Sequence, residues 1–77
     1  MQVEIITPDS TVFSGQAEAI VVPGTDGLLG ILNSHAPLIS SLKAGEVKVT
    51  QDGKDQLFNI TGGVVEVQND KIMVLAD

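Results

Sequence analysis

Cysteine is absent from the 77 residues, as are arginine, tyrosine and tryptophan. Without cysteine there is no disulfide and no thiol nucleophile. The one histidine, His35, lacks the cysteines that complete a structural zinc site. Without arginine there is no bidentate fork for phosphate. Four lysines face ten carboxylates, for a net charge of −6, which argues against nucleic acid and against adsorption to anionic lipid. No apolar run approaches the roughly 20 residues of a membrane helix, so direct insertion into a bilayer is not expected. Met1-Gln2-Val3-Glu4 lacks the basic, then apolar, pattern of a secretory leader. Aromatics amount to Phe13 and Phe58.

The material present is aliphatic. Apolar residues make up 43% of the chain, and with so few aromatics the core must come from Val, Ile and Leu. Such β-branched residues favour strands. At this length one domain is expected, near the lower limit for a self-standing core. Folding must rest on apolar burial, helped by a partner surface.

The pattern is of short apolar segments cut by Gly, Pro, Asp and Asn. Val47 and Val49 alternate with polar residues, as do Phe58 and Ile60, and Val65 and Val67. Asp52-Gly53 is a hairpin signal, and Asn69-Asp70 is a second turn. Ser14-Gly15 marks a bend or bulge, and Gly62-Gly63 permits a corner. Pro23 withholds an N–H, so a ladder should stop there. Only Ile39 to Ala44 invites a helical turn, too short to stand alone. The expected fold is all-β: a small flattened sandwich or barrel of about ten short, mostly antiparallel strands, filling residues 1–77 as one domain.

Catalytic patterns are sparse. No nucleophile elbow and no phosphate-binding loop occurs. His35 as a general base would need an orienting acceptor and a nucleophile. Asp26 and Ser34 are the available partners, and the alternative is a loop histidine that fixes a turn or meets a partner. The aspartates at 9, 26, 52, 55, 70 and 77 are too dispersed for a calcium loop and read as turn formers. Lys54 beside a hairpin tip raises a second functional class, a lipoyl- or biotinyl-like carrier domain modified there. Its neighbours Gly53 and Asp55 lack the flanking pattern of such carriers. Gly27 to Ile39 is long, apolar and poor in charge, which reads as core alone or as core together with a partner surface.

That stretch also carries a resemblance. Gly27-Leu28-Leu29-Gly30-Ile31 followed by His35-Ala36-Pro37-Leu38 resembles the G-x-[LF]-G-I…G-H-A-P-L pattern of ATP synthase epsilon subunits. Val12-Phe13-Ser14-Gly15, Gly62-Gly63-Val64-Val65-Glu66-Val67 and Val74-Leu75-Ala76-Asp77 resemble further segments of that family, in order. The resemblance implies a ten-stranded β-sandwich with no catalytic site, no cofactor and no small-molecule substrate. It implies a central-stalk rotor part that joins the gamma shaft to the membrane c-ring, peripheral on the cytoplasmic face of a bacterial inner membrane. Carried over by position, Thr7, His35 and Ser40 fall on the gamma side. The turn Asp26, Gly27, Leu28 and Leu29 falls on the c-ring side. Two positions depart from the pattern: Leu28 stands where many members carry an acid, and Asn33-Ser34 replaces Pro-Gly. Many members continue into a helical pair that inhibits rotation and in some cases binds ATP. A chain ending at Asp77 is expected to lack both properties.

Overall fold

The computed structural model describes all residues 1–77 and contains seven strands and no helix. They are β1 (Gln2–Ile6), β2 (Thr11–Gln16), β3 (Ala19–Gly24), β4 (Gly27–Leu32), β5 (Leu38–Gln51), β6 (Lys54–Gln68) and β7 (Lys71–Ala76). Their order is β2-β1-β7-β6-β5-β3-β4, antiparallel except for the β1–β7 pair. Seven strands stand where about ten were expected, chiefly because β5 and β6 are 14 and 15 residues long. Each absorbs two of the short segments read from the sequence. Ile39 to Ala44 is extended within β5, so the helical turn does not form: its ladder to β6 outweighs a few residues of weak helical preference.

Two long strands wrap the sheet over itself. Beyond Val21, β3 pairs with β5 again only at Gly24↔Leu42, having last paired at Val21↔Lys48. The intervening residues of β5 carry the bend. Pro23 lies inside this gap, where its missing N–H is harmless. Gly45 packs against it, since a Cβ on Gly45 would meet the Pro23 ring at 3.0 Å. On β6 the bend falls at Gly62 and Gly63, with φ of 151° and 139°. These values suit glycine alone.

Alternation then buries one face of each half. Val3, Ile5, Val65, Val67, Ile72 and Val74 from one half meet Ile20, Val22, Ile31, Val47, Val49 and Ile60 from the other in one core cluster. No polar side chain is buried. The Asp52-Gly53 and Asn69-Asp70 turns have positive φ at both central residues, the geometry whose twist matches the flanking strands. Ser14-Gly15 runs straight through β2. The irregularity lies instead at Val12, skipped between Ile5↔Phe13 and Ile6↔Thr11.

Candidate docking surfaces

Alternation fixes which side chains lie on the outside. Apolar doublets in strands cannot hide both members. Ile5-Ile6, Leu38-Ile39, Val64-Val65 and Val74-Leu75 each send the buried or half-buried member inward, while the other faces out. On the outer face of the β1–β7–β6–β5 half, Ile6, Leu75, Val64 and Ser41 form one cross-strand row. Glu4, Met73, Glu66 and Ile39 form the next. Ile39 is 72% exposed, Leu75 48% and Val64 37%. The result is an exposed apolar strip, with Glu66 set between Met73 and Ile39 and Glu4 at the β1 edge. Lys71 reaches Glu4 at 3.7 Å across the same face.

Thr7 and His35 lie beyond opposite ends of the strands that form this strip. Thr7 lies just past β1 and is tied into a turn: its N–H donates to the Ser10 carbonyl at 2.8 Å, and its Oγ1 accepts from the Ser10 N–H at 3.2 Å. His35 lies at the other end of the strands, before β5. Ser40 sits between them but points inward, in register with buried Val65. The structure therefore places Thr7 and His35 at opposite ends of these strands, with Ser40 between them and turned inward.

The His35 loop is held by Asp70, a residue that sequence reasoning took only as a turn former. Asp70 Oδ1 accepts the Ser34 N–H at 2.9 Å, and Asn33 Oδ1 accepts from the Met1 nitrogen at 2.9 Å. Ser34 has φ of 63°. The departure from Pro-Gly thus puts a side chain where the backbone is left-handed, a conformation that favours glycine. The His35 N–H donates to the Leu32 carbonyl at 3.2 Å, and its Nδ1 lies 2.7 Å from the Ala36 carbonyl oxygen. A carbonyl only accepts, so Nδ1 carries the proton. The imidazole is thus engaged with backbone rather than with Ser34 or Asp26, the partners a catalytic reading required.

The β3–β4 turn is the second prominent feature. Gly24 pairs with Gly27 across Thr25-Asp26, Gly27 has φ of 131°, and the Thr25 N–H donates to the Ser41 carbonyl at 3.1 Å. Asp26, Gly27 and Leu28 are exposed, Leu28 at 76%. Leu29 alternates inward and packs on the core. Three of the four residues read for this surface are therefore exposed, and Leu29 anchors them. Lys54 is exposed at the start of β6, opposite Gln51.

The family model described as ATP synthase, Delta/Epsilon chain, beta-sandwich domain matches residues 1–77. The ATP synthase epsilon chain of Desulforamulus reducens is 47% identical over 76 residues, which cover 99% of this chain and 58% of that protein. That of Dichelobacter nodosus is 46% identical over 77 residues, covering 99% and 54%. The chain thus spans a little over half the length of these relatives. Among solved structures, a chain of the Euglena gracilis mitochondrial ATP synthase, OSCP/F1/c-ring, superposes with a TM-score of 0.90 at 21% identity, covering 96% of this chain and 48% of that one. A chain of the Tetrahymena thermophila mitochondrial ATP synthase central stalk and c-ring gives 0.83 at 20%, covering 97% and 61%. At such identities the superpositions speak for the fold.

Proposed function

Because the chain belongs to the ATP synthase Delta/Epsilon chain β-sandwich domain family, we propose that it is a rotor part of an F-type ATP synthase, without a catalytic site of its own. In this reading it joins the gamma shaft to the c-ring on the cytoplasmic face of a bacterial inner membrane and helps to couple ion flow to ATP synthesis. The match over residues 1–77 is the observation that carries it. The gamma shaft docks on the apolar strip between Thr7 and His35, where exposed Ile39, Val64 and Leu75 supply area worth about 25 cal/mol per Å² buried. The c-ring meets the turn from Asp26 to Leu28, braced by Leu29. Ser40 supports the gamma face from beneath.

A pull-down from membranes tests this reading: the tagged chain should bring down gamma and c subunits. Recovery of neither refutes it. His35→Ala should then weaken gamma binding more than it lowers the melting temperature. Unchanged binding with lowered stability would reduce His35 to a fold residue.

A further inference from the structure

The Met1 amino group is buried and engaged on several sides. β1 pairs with β2 as Gln2↔Gln16, so Met1 faces Ala17 one step further along the ladder. There the Met1 ammonium donates to the Ala17 carbonyl at 3.1 Å, and the Ala17 N–H donates to the Met1 carbonyl at 2.9 Å. The Met1 side chain is 1% exposed and belongs to the core cluster. A chain end ordinarily frays into water, because little offsets the entropy of holding it in place. This one is held by β2 and by two further segments.

Those two converge on the loop that carries His35. Asn33 Oδ1 accepts from the Met1 ammonium at 2.9 Å, and Asp70 Oδ2 lies 3.8 Å from the same nitrogen. Asp70 is already committed to this loop through Oδ1, which accepts the Ser34 N–H at 2.9 Å. The β6–β7 turn also holds the residue after Met1, since the Gln2 N–H donates to the Asp70 carbonyl at 3.1 Å. Residues 33–37 belong to no strand. Apart from the bond from the His35 N–H to Leu32, the loop is positioned by these side chains and by the end of the chain. The bond to Asn33 joins the ammonium to the loop directly. The Asp70 ion pair adds little, being long and half-exposed.

We propose that the free Met1 amino group is a clasp that sets the His35 loop, and that an acyl group on this one nitrogen releases the loop while leaving the sandwich folded. An acylated nitrogen is planar and uncharged, and it keeps a single N–H. It can serve Ala17 or Asn33 but not both, it offers Asp70 no charge, and its acyl carbon needs room in a buried position. Because the folded chain encloses the nitrogen, its acylation state is fixed before folding. A formyl group there is lost only by prior hydrolysis: water cleaves the formamide C–N bond, formate leaves and the nitrogen takes up the proton. The inference adds a modification-sensitive control to the rotor reading, and rests on that reading only for what the loop meets.

The test uses the 77-residue chain made by chemical synthesis with Met1 as free amine, N-formyl or N-acetyl, and Asn33→Ala as free amine and N-acetyl. Both acyl forms should keep the far-UV circular dichroism of the free form, while the Ser34 and His35 amides exchange at least about 5-fold faster, as loss of a hydrogen bond to a charged group predicts. Asn33→Ala with a free amine should do the same. Acetylating that variant should add under about 2-fold, because its link from nitrogen to loop is already gone. On immobilised gamma the acyl forms should bind about 5-fold more weakly than the free form, a readout that loosening elsewhere in the sandwich would not move. Equal loop exchange in free and acyl forms overturns the inference and leaves the rotor reading standing. Wild-type exchange in Asn33→Ala also overturns it, since the amine then does not act through Asn33. Acyl forms that fail to fold overturn it by making the amine a condition of the whole fold. Faster exchange with unchanged gamma binding supports the clasp and refutes the placement of His35 against gamma.

Discussion

Gly62 and Gly63 are adjacent, both have positive φ, and both sit at the β6 bend, yet the structure assigns them different costs. A Cβ on Gly63 would overlap the Leu75 carbonyl oxygen and lie 3.0 Å from Ala76 Cα. Those are backbone atoms of the paired strand, fixed by the ladder Gly63↔Ala76 and Val64↔Leu75. A Cβ on Gly62 would meet Asp77 Oδ2 at 2.8 Å, the free end of a side chain that can rotate aside. Both substitutions carry the conformational cost of alanine at such φ, about 1–3 kcal/mol. Gly63→Ala adds overpacking of about 1–3 kcal/mol as β6 and β7 part. The sum, about 2–6 kcal/mol, is a large share of the roughly 4–12 kcal/mol expected for a chain of this length. With no Trp or Tyr, unfolding is best followed by far-UV circular dichroism in urea and on heating. Gly62→Ala should lower the melting temperature by at least about 4 °C, and Gly63→Ala by clearly more, since 1 kcal/mol is worth about 4–8 °C at this size. The reasoning fails if Gly62→Ala proves the more damaging, or if Gly63→Ala melts within a few degrees of the wild type.

Ser34→Gly should stabilise the chain by about 0.5–1 kcal/mol, as relief of the left-handed strain at φ 63° exceeds the added freedom of the unfolded chain; a urea midpoint at or below wild type would contradict it. Asp70→Ala should cost about 1–2 kcal/mol and speed hydrogen exchange at the Ser34 amide, whose acceptor it removes. Unchanged exchange there would show that the loop does not depend on Asp70. Ile20→Ala, fully buried, should cost about 2–5 kcal/mol, whereas Leu32→Ala, 65% exposed, should cost under about 0.5 kcal/mol. Similar losses in chemical denaturation would mean that the two faces of the β3–β4 pair are misassigned.

What was legible in the sequence was local. Asp52-Gly53 and Gly62-Gly63 reveal themselves because few residues tolerate their backbone angles. Val47 and Val49 reveal their face because period 2 admits only one arrangement. The continuity of β5 was hidden, since Lys43-Ala44-Gly45 breaks the apolar rhythm and reads as an end. In the fold it is a bend, and pairing with β6 resumes at Gly45↔Ile60. Val12 was hidden too, because a bulge depends on the partner strand rather than on its own residues. The apolar strip had a signal in the doublets Ile5-Ile6, Leu38-Ile39 and Val64-Val65, whose outer members cannot be core. Asp70 had none: its hold on Ser34 joins positions 36 apart in the chain, a distance no local pattern spans. The proposed docking residues came from the resemblance alone, since surfaces that recognise partners by shape and apolar area follow no fixed residue spacing.

The two long strands connect the fold to the proposed role. In a sandwich of two separate sheets, load on one face and resistance on the other meet only through side chains at the interface, which resist sliding weakly. Here the β3–β4 turn is bonded to β5 through the Thr25 N–H and the Ser41 carbonyl, and β5 continues without interruption from the strip that carries Ile39 to the half that carries Lys48. β6 runs beside it from Lys54 to Gln68. Sliding one half past the other would therefore require stretching two covalent chains and opening the ladder between them, not merely shearing a core of Val and Ile. A displacement applied at Leu28 reaches Ile39 through backbone hydrogen bonds, each tied into a run of neighbours that opens cooperatively. That stiffness is what a joint between shaft and ring needs, and it follows from strand lengths that the breaks in the apolar rhythm concealed.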